Sequence, residues 1–158
     1  MKKDLREAKD LISSVSKEEQ VRCLFSSMVS DAPSNFSVVK DSDIKGKLIF
    51  YLISCTKICT KGTSLEECIR KTNDKHKLAG VGHANGLLDQ KNKLLKEWRK
   101  ENRSLIFGGT VWKTDIMGYE VSPQVQYLNG EWADNRYAML DKSITESDHL
   151  VGVFQVDV

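Results

Sequence analysis

Apolar positions in this 158-residue chain recur at helical spacing through the first two thirds and drop toward a period of two in the last third. Leu5, Ala8, Ile12 and Val15 stand three or four residues apart among charged neighbours, which predicts an amphipathic helix. Ser16-Lys17-Glu18-Glu19 then has the form of a capping box, where hydroxyl and glutamate each satisfy an orphan backbone amide. It predicts a second helix striped by Val21, Leu24, Phe25 and Met28. Asp31-Ala32-Pro33-Ser34-Asn35 ends that helix, because proline disfavours helical backbone in the residue before it. Asp41-Ser42-Asp43 offers N-caps to a third helix with Ile44, Leu48, Ile49, Leu52, Cys55 and Cys59 on one side and Gly62 at the C-terminal cap. A buried strand over 48–53 is the competing reading, since periodicity alone does not assign a short apolar run.

Ser64-Leu65-Glu66-Glu67 is a second capping box and predicts a helix that buries Leu65, Cys68 and Ile69. The run from Ala79 to Gly86 holds three glycines in seven positions, each weakening a helix by about 1 kcal/mol against alanine, so a loop or broken helix is expected. Leu87, Leu88, Leu94, Leu95 and Trp98 then mark an amphipathic helix ending near Asn102. After Ser104 two hairpins are expected, one turning at Gly108-Gly109 and one at Asn129-Gly130, the pair best suited to a type I′ turn. A last strand starts at Leu150, where Phe154, Val156 and Val158 alternate with Gln155 and Asp157. The expected architecture is a single α+β domain over 1–158, mainly helical over 1–103 and mainly strand over 104–158. N-terminal helices would pack on a C-terminal antiparallel β-meander. No family resemblance is read from these motifs.

Charge follows the same division. Residues 1–113 carry 22 Lys/Arg against 14 Asp/Glu, a net +8, and residues 114–158 carry 2 against 8, a net −6. A basic helical part joined to an acidic β part speaks to partners more than to fold. With 40% hydrophobic and 29% charged residues and only two prolines, the composition fits a soluble globular domain. The apolar run over 48–53 is far short of the roughly 20 residues that span a bilayer. Acidic residues stand where a signal peptide would be apolar, so a cytoplasmic protein with free thiols at Cys23, Cys55, Cys59 and Cys68 is expected.

Candidate chemistry is sparse. Cys55, Cys59, Cys68, His76 and His83 supply zinc-type ligands, but the cysteine spacing is that of a helical apolar stripe and not of a metal knuckle, so no metal or other cofactor is expected. His83, with Asn85 and Asp89 near in sequence, is the best proton-transfer candidate. Lys91, Lys93, Lys96, Arg99, Lys100 and Arg103, interspersed with Asp89, Glu97 and Glu101, read as a solvated helix face before a nucleic-acid site. The acidic half also holds aromatics, a composition suited to an electrostatically steered protein interface. The partner-binding residues expected are Glu120, Tyr127, Glu131, Trp132, Asp134, Tyr137 and Asp148. The functional expectation is a non-enzymatic domain whose acidic β face grips a basic protein partner, as an inhibitor or immunity-type protein neutralising a nuclease toxin would. The alternative is a small hydrolase or nucleic-acid-processing enzyme using His83 and nearby carboxylates.

Overall fold

The computed structural model describes residues 20–25, 32–89 and 98–156. The helix expected over 5–15, the capping box at 16–19 and positions 91–97 of the basic helix lie outside them. Among the described residues nine strands form one sheet: β1 (Val21–Phe25), β2 (Phe36–Lys40), β3 (Gly46–Ser54), β4 (Lys77–Leu78), β5 (Ser104–Ile106), β6 (Val111–Thr114), β7 (Glu120–Leu128), β8 (Glu131–Met139) and β9 (Asp148–Gln155). The path runs β1-β3-β9-β5-β7-β6-β2, with β4 beside β9 and β8 beside β7. Every pairing is antiparallel except β5 with β9. The helices are short: α1 (Cys55–Ile58), α2 (Leu65–Asn73) and α3 (Val81–Asp89). The chain is therefore mostly β with a mixed sheet, and the expected packing of N-terminal helices on a meander is corrected.

Two segments expected as helices are strands. In β1, Val21, Cys23 and Phe25 are buried while Arg22 and Leu24 face out, the period of two of a half-covered strand. The same stretch also satisfies three- and four-residue spacing, which is why it reads as a helix. β3 carries four consecutive buried residues, Leu48 to Tyr51, because both of its faces are covered. Tyr51 and Ile53 join a core with Leu65 and Ile69 of α2, whereas Leu48 and Phe50 join a second core with Ala84 and Leu87 of α3. Such a strand shows no alternation, and the competing strand reading over 48–53 holds.

Gly108-Gly109 is not a hairpin turn. β5 and β6 both lie along the same strand, with Ile106 opposite Gln124 and Trp112 opposite Val121. Five residues on that side thus span two of β7, and the three extra ones form a bulge that brings Gly109 against residues 78 and 79. A Cβ on Gly109 would stand 2.3 Å from the Leu78 carbonyl oxygen, and its amide donates to the Ala79 carbonyl at 2.9 Å. The residue is glycine because backbone approaches backbone there. Asn129-Gly130, by contrast, is the expected turn: φ is 54° and 78°, and Leu128 pairs with Glu131 across it. The N-cap half of the box at the start of α2 also forms, Ser64 Oγ accepting from the Glu67 amide at 3.2 Å, while the Glu67 carboxylate pairs with Arg70. The glycine-rich segment is helical in α3, and Gly86 leaves the space that the Phe25 ring fills. No helix among the described residues is long and apolar enough to cross a membrane.

Candidate binding surface

α3 carries His83 into the core, where it is 0% exposed. Its Nδ1 accepts the Gly80 amide at 2.9 Å, and its Nε2–H donates to the Ile44 carbonyl at 2.8 Å. These two bonds fix the Nε2–H tautomer. The rings of Phe25 and Phe50 lie 5.4 and 5.5 Å away, and burial holds the imidazole below its ordinary pKa in the neutral form. Both nitrogens are therefore occupied by backbone, and His83 joins the chain at Ile44 to the start of α3 without offering a proton to a substrate. Thr110 reinforces the same junction by accepting the Val81 amide at 2.8 Å and donating to Asp41 at 2.5 Å. Asn85 of the same helix faces outward.

Cys55, Cys59 and Cys68 come together in the α2-side core, all as free thiols. The Cys68 thiol points at the Cys55 carbonyl at 3.8 Å. Contact with Cys68 and burial push the Cys55 thiol above its ordinary pKa. The histidines do not join them: His76 Nδ1 bonds the Tyr51 hydroxyl at 2.8 Å, and His83 sits in the other core. Among the described residues no group of three or more His, Cys, Asp or Glu is arranged to hold a metal ion.

The acidic residues separate by role. Asp148 is 2% exposed, so it is removed from the expected interface. Its carboxylate accepts from Lys142 Nζ at 2.9 and 3.0 Å and from the Thr145 amide at 2.9 Å, holding the turn that leads into β9. Glu146 stands 3.8 Å from Lys61, and Asp115 accepts from Ser37 at 2.7 Å. Glu120 and Glu131 are both exposed, but Glu120 opens β7 and Glu131 pairs with Leu128 near its other end. At ~3.3 Å per residue they are about 26 Å apart along the hairpin.

The aromatics divide in the same way. Tyr127 and Trp132 oppose each other next to the Asn129-Gly130 turn, edge to face at 5.0 Å and half-buried. Tyr137 lies toward the Glu120 end, its ring 5.0 Å from Phe36 and 5.9 Å from Trp112. Between the ends β8 carries a bulge, with Asp134 and Asn135 together opposite Val125. The seven expected residues thus do not form one face. Glu120 and Tyr137 stand at one end of the hairpin, Tyr127, Glu131 and Trp132 at the other, Asp134 between them and Asp148 in the interior.

A different feature gathers at the Glu120 end. Of the eight exposed large hydrophobic residues among the described ones, seven lie on adjoining elements: Val38 and Val39 on β2, Ile116, Met117 and Tyr119 in the β6–β7 turn, Tyr137 and Met139 on β8. Ile116 is 86% exposed. Gly118, at φ 70°, makes the turn that thrusts this apolar stretch outward. The signal was in the sequence, as an apolar turn bracketed by Asp115 and Glu120, but a count of acids passes over it. Comparison of the chain with protein-family models, with curated proteins and with solved structures finds no match.

Proposed function

We propose that this chain is a non-enzymatic protein-binding domain whose contact surface is the end of the sheet formed by β2, the β6–β7 turn and β8. The observation that carries the reading is the concentration there of seven of the eight exposed large hydrophobics. Contiguous exposed apolar surface with a polar rim is characteristic of protein interfaces, and large side chains such as Met and Tyr supply most of the binding energy at their centres. Asp115 and Glu120 flank the turn, and the net −6 of residues 114–158 favours a partner with a basic surface. An inhibitor or immunity-type protein that occludes a nuclease is one form of this function. The hydrolase reading loses its base, since both His83 nitrogens are engaged in the interior.

The test compares the two ends of the hairpin. Immobilised wild type, an Ile116→Asp/Met117→Asp variant and a Glu131→Lys/Trp132→Ala variant are exposed to the same lysate, and any retained protein is then titrated purified. The expected result is a basic partner that the turn variant binds at least about thirtyfold more weakly, as the loss of ~2 kcal/mol of anchor energy requires. The far-end variant should keep near wild-type affinity. Full affinity in the turn variant, or loss confined to the far-end variant, overturns this placement of the surface.

A further inference from the structure

Three of the four cysteines meet where α1 leads into α2. Cys55 opens α1, Cys59 follows its last residue and Cys68 is buried in α2, whereas Cys23 belongs to the other core. The Cys55 carbonyl is their common point, accepting the Cys59 amide at 3.0 Å and the Cys68 thiol at 3.8 Å. The Cys59 nitrogen and the Cys68 sulfur are therefore no farther apart than those two distances laid end to end. The Cys68 thiol is also in hydrogen-bonding reach of the Cys55 and Cys59 thiols. Thiols that meet in this way are the reactants of a disulfide.

Exposure and backbone freedom select the pair. Cys55 and Cys68 are 0% exposed, while Cys59 is 7% exposed and is the one that a small oxidant reaches first. Cys68 is fixed in the body of α2, its amide bonded to the Ser64 carbonyl at 3.1 Å and its carbonyl to Thr72 Oγ1 at 2.7 Å. Cys59 has extended backbone beyond the end of α1, so its side chain can turn toward Cys68 without unwinding a helix. Burial holds the Cys59 thiol above its ordinary pKa, with Lys71 acting the other way, so its thiolate is scarce and its oxidation slow. The loop between the two also holds the segment that follows β8. The Leu65 and Glu66 amides donate to the Lys142 and Leu140 carbonyls, and the Ile144 amide to the Thr63 carbonyl, each at 2.8 Å.

We infer that Cys59 and Cys68 are a reversible modification site, closed to a disulfide by hydrogen peroxide, and that closure stiffens the 60–67 loop against 140–144. The Cys59 sulfur attacks the peroxide, the O–O bond breaks, and a sulfenic acid and water form. The Cys68 sulfur then attacks the sulfenic sulfur, the S–O bond breaks, and the oxygen leaves as water with the Cys68 proton. The two thiols lose two electrons and one peroxide becomes two waters. The site does not depend on the protein-binding role.

Trypsin can assign the bridge, because it places Cys23, Cys55, Cys59 and Cys68 in four different peptides. The folded full chain is treated with hydrogen peroxide, alkylated and digested without reduction. The expected product links Ile58–Lys61 to Gly62–Arg70, and dithiothreitol releases it. Cys59→Ser should abolish the link. The Leu65 and Ile144 amides should exchange with solvent about tenfold more slowly in the oxidised chain, as closure of a short loop requires. The absence of a linked peptide, or a sulfinic acid at Cys59 in its place, overturns the site. A link from Cys68 to Cys55 overturns the choice of pair, and unchanged exchange overturns the stiffening.

Discussion

Lowering the pH from about 7.5 to about 5.5 should destabilise this fold through His83, by at most ~1.4 kcal/mol. The sign follows from burial. The folded imidazole is held below 6.5, chiefly by loss of solvent, whereas the unfolded chain takes up its proton near that value. The stabilising contribution is thus complete above the unfolded pKa and is lost as pH falls below it. With the folded ring kept neutral, the unfolded state gains RT ln(1 + 10^(6.5−pH)), which is below ~0.1 kcal/mol at pH 7.5 and about 1.4 kcal/mol at pH 5.5. Burial also lowers His76 and His149, so the three together are bounded at about 4 kcal/mol, with less from the two that retain some exposure. The assay is urea denaturation at both pH values for wild type and His83→Gln. A glutamine amide can accept the Gly80 amide and donate to the Ile44 carbonyl, but it does not titrate across this range. The wild type should lose more than the variant, by at most about 1.4 kcal/mol, because carboxylate titration is common to both. Equal pH slopes would refute the buried-neutral assignment, as would a His83 ring resonance in the folded protein that titrates near 6.5.

Three further substitutions test the backbone and the buried carboxylate. Gly130→Val places a β-branched residue at φ 78° in otherwise open space, so backbone strain should set a cost of about 1–2 kcal/mol, and an unchanged denaturation midpoint would refute the type I′ turn. Gly109→Ala drives a methyl into the Leu78 carbonyl, which cannot yield as a side chain would, and should cost about 3 kcal/mol or more by thermal melting. Asp148→Asn removes the charge that Lys142 meets in a buried setting and should cost about 2 kcal/mol, with partner binding unaltered once the fold is held at low temperature.

Legibility in the sequence followed the range of the signal. The Ser64 N-cap of α2 and the Asn129-Gly130 hairpin are specified within four residues, and both form as read. β3 was obscured because covering both faces removes the alternation that identifies a strand, and β1 because Val21, Leu24 and Phe25 also fit helical spacing. α3 runs against its glycine content because packing outweighs intrinsic propensity: Gly86 accepts the Phe25 ring, and Thr110, 29 residues away, caps the Val81 amide. Gly108-Gly109 was misread as a turn because the carbonyls that demand glycine belong to residues 78 and 79. The same limit applies to the acids. Composition gives their excess, but only the fold shows that Asp148 is interior and that Glu120 and Glu131 stand at opposite ends of a hairpin.

That dispersal separates two roles a partner-binding surface must fill. Charges spread over one half of a chain still sum to a field that draws in an opposite charge, but salt screens it beyond ~8 Å at physiological ionic strength, so its main effect is on encounter. Lifetime depends on what is desolvated after contact, and the apolar surface available for that is at the β6–β7 turn and its neighbours on β2 and β8. Under the proposed role, Glu131 and Glu120, both solvated, would steer from the two ends of the hairpin, and reversing either should slow association at low salt while dissociation stays as it was. Ile116 and Met117 act in the opposite sense, since burying them requires no charge on the partner and adds nothing at long range. A complex whose association slows with salt and whose dissociation quickens on changing this turn therefore has its steering and its anchoring in different residues. The expected acidic face joined those two functions, and the proposed surface would divide them between separate groups of side chains.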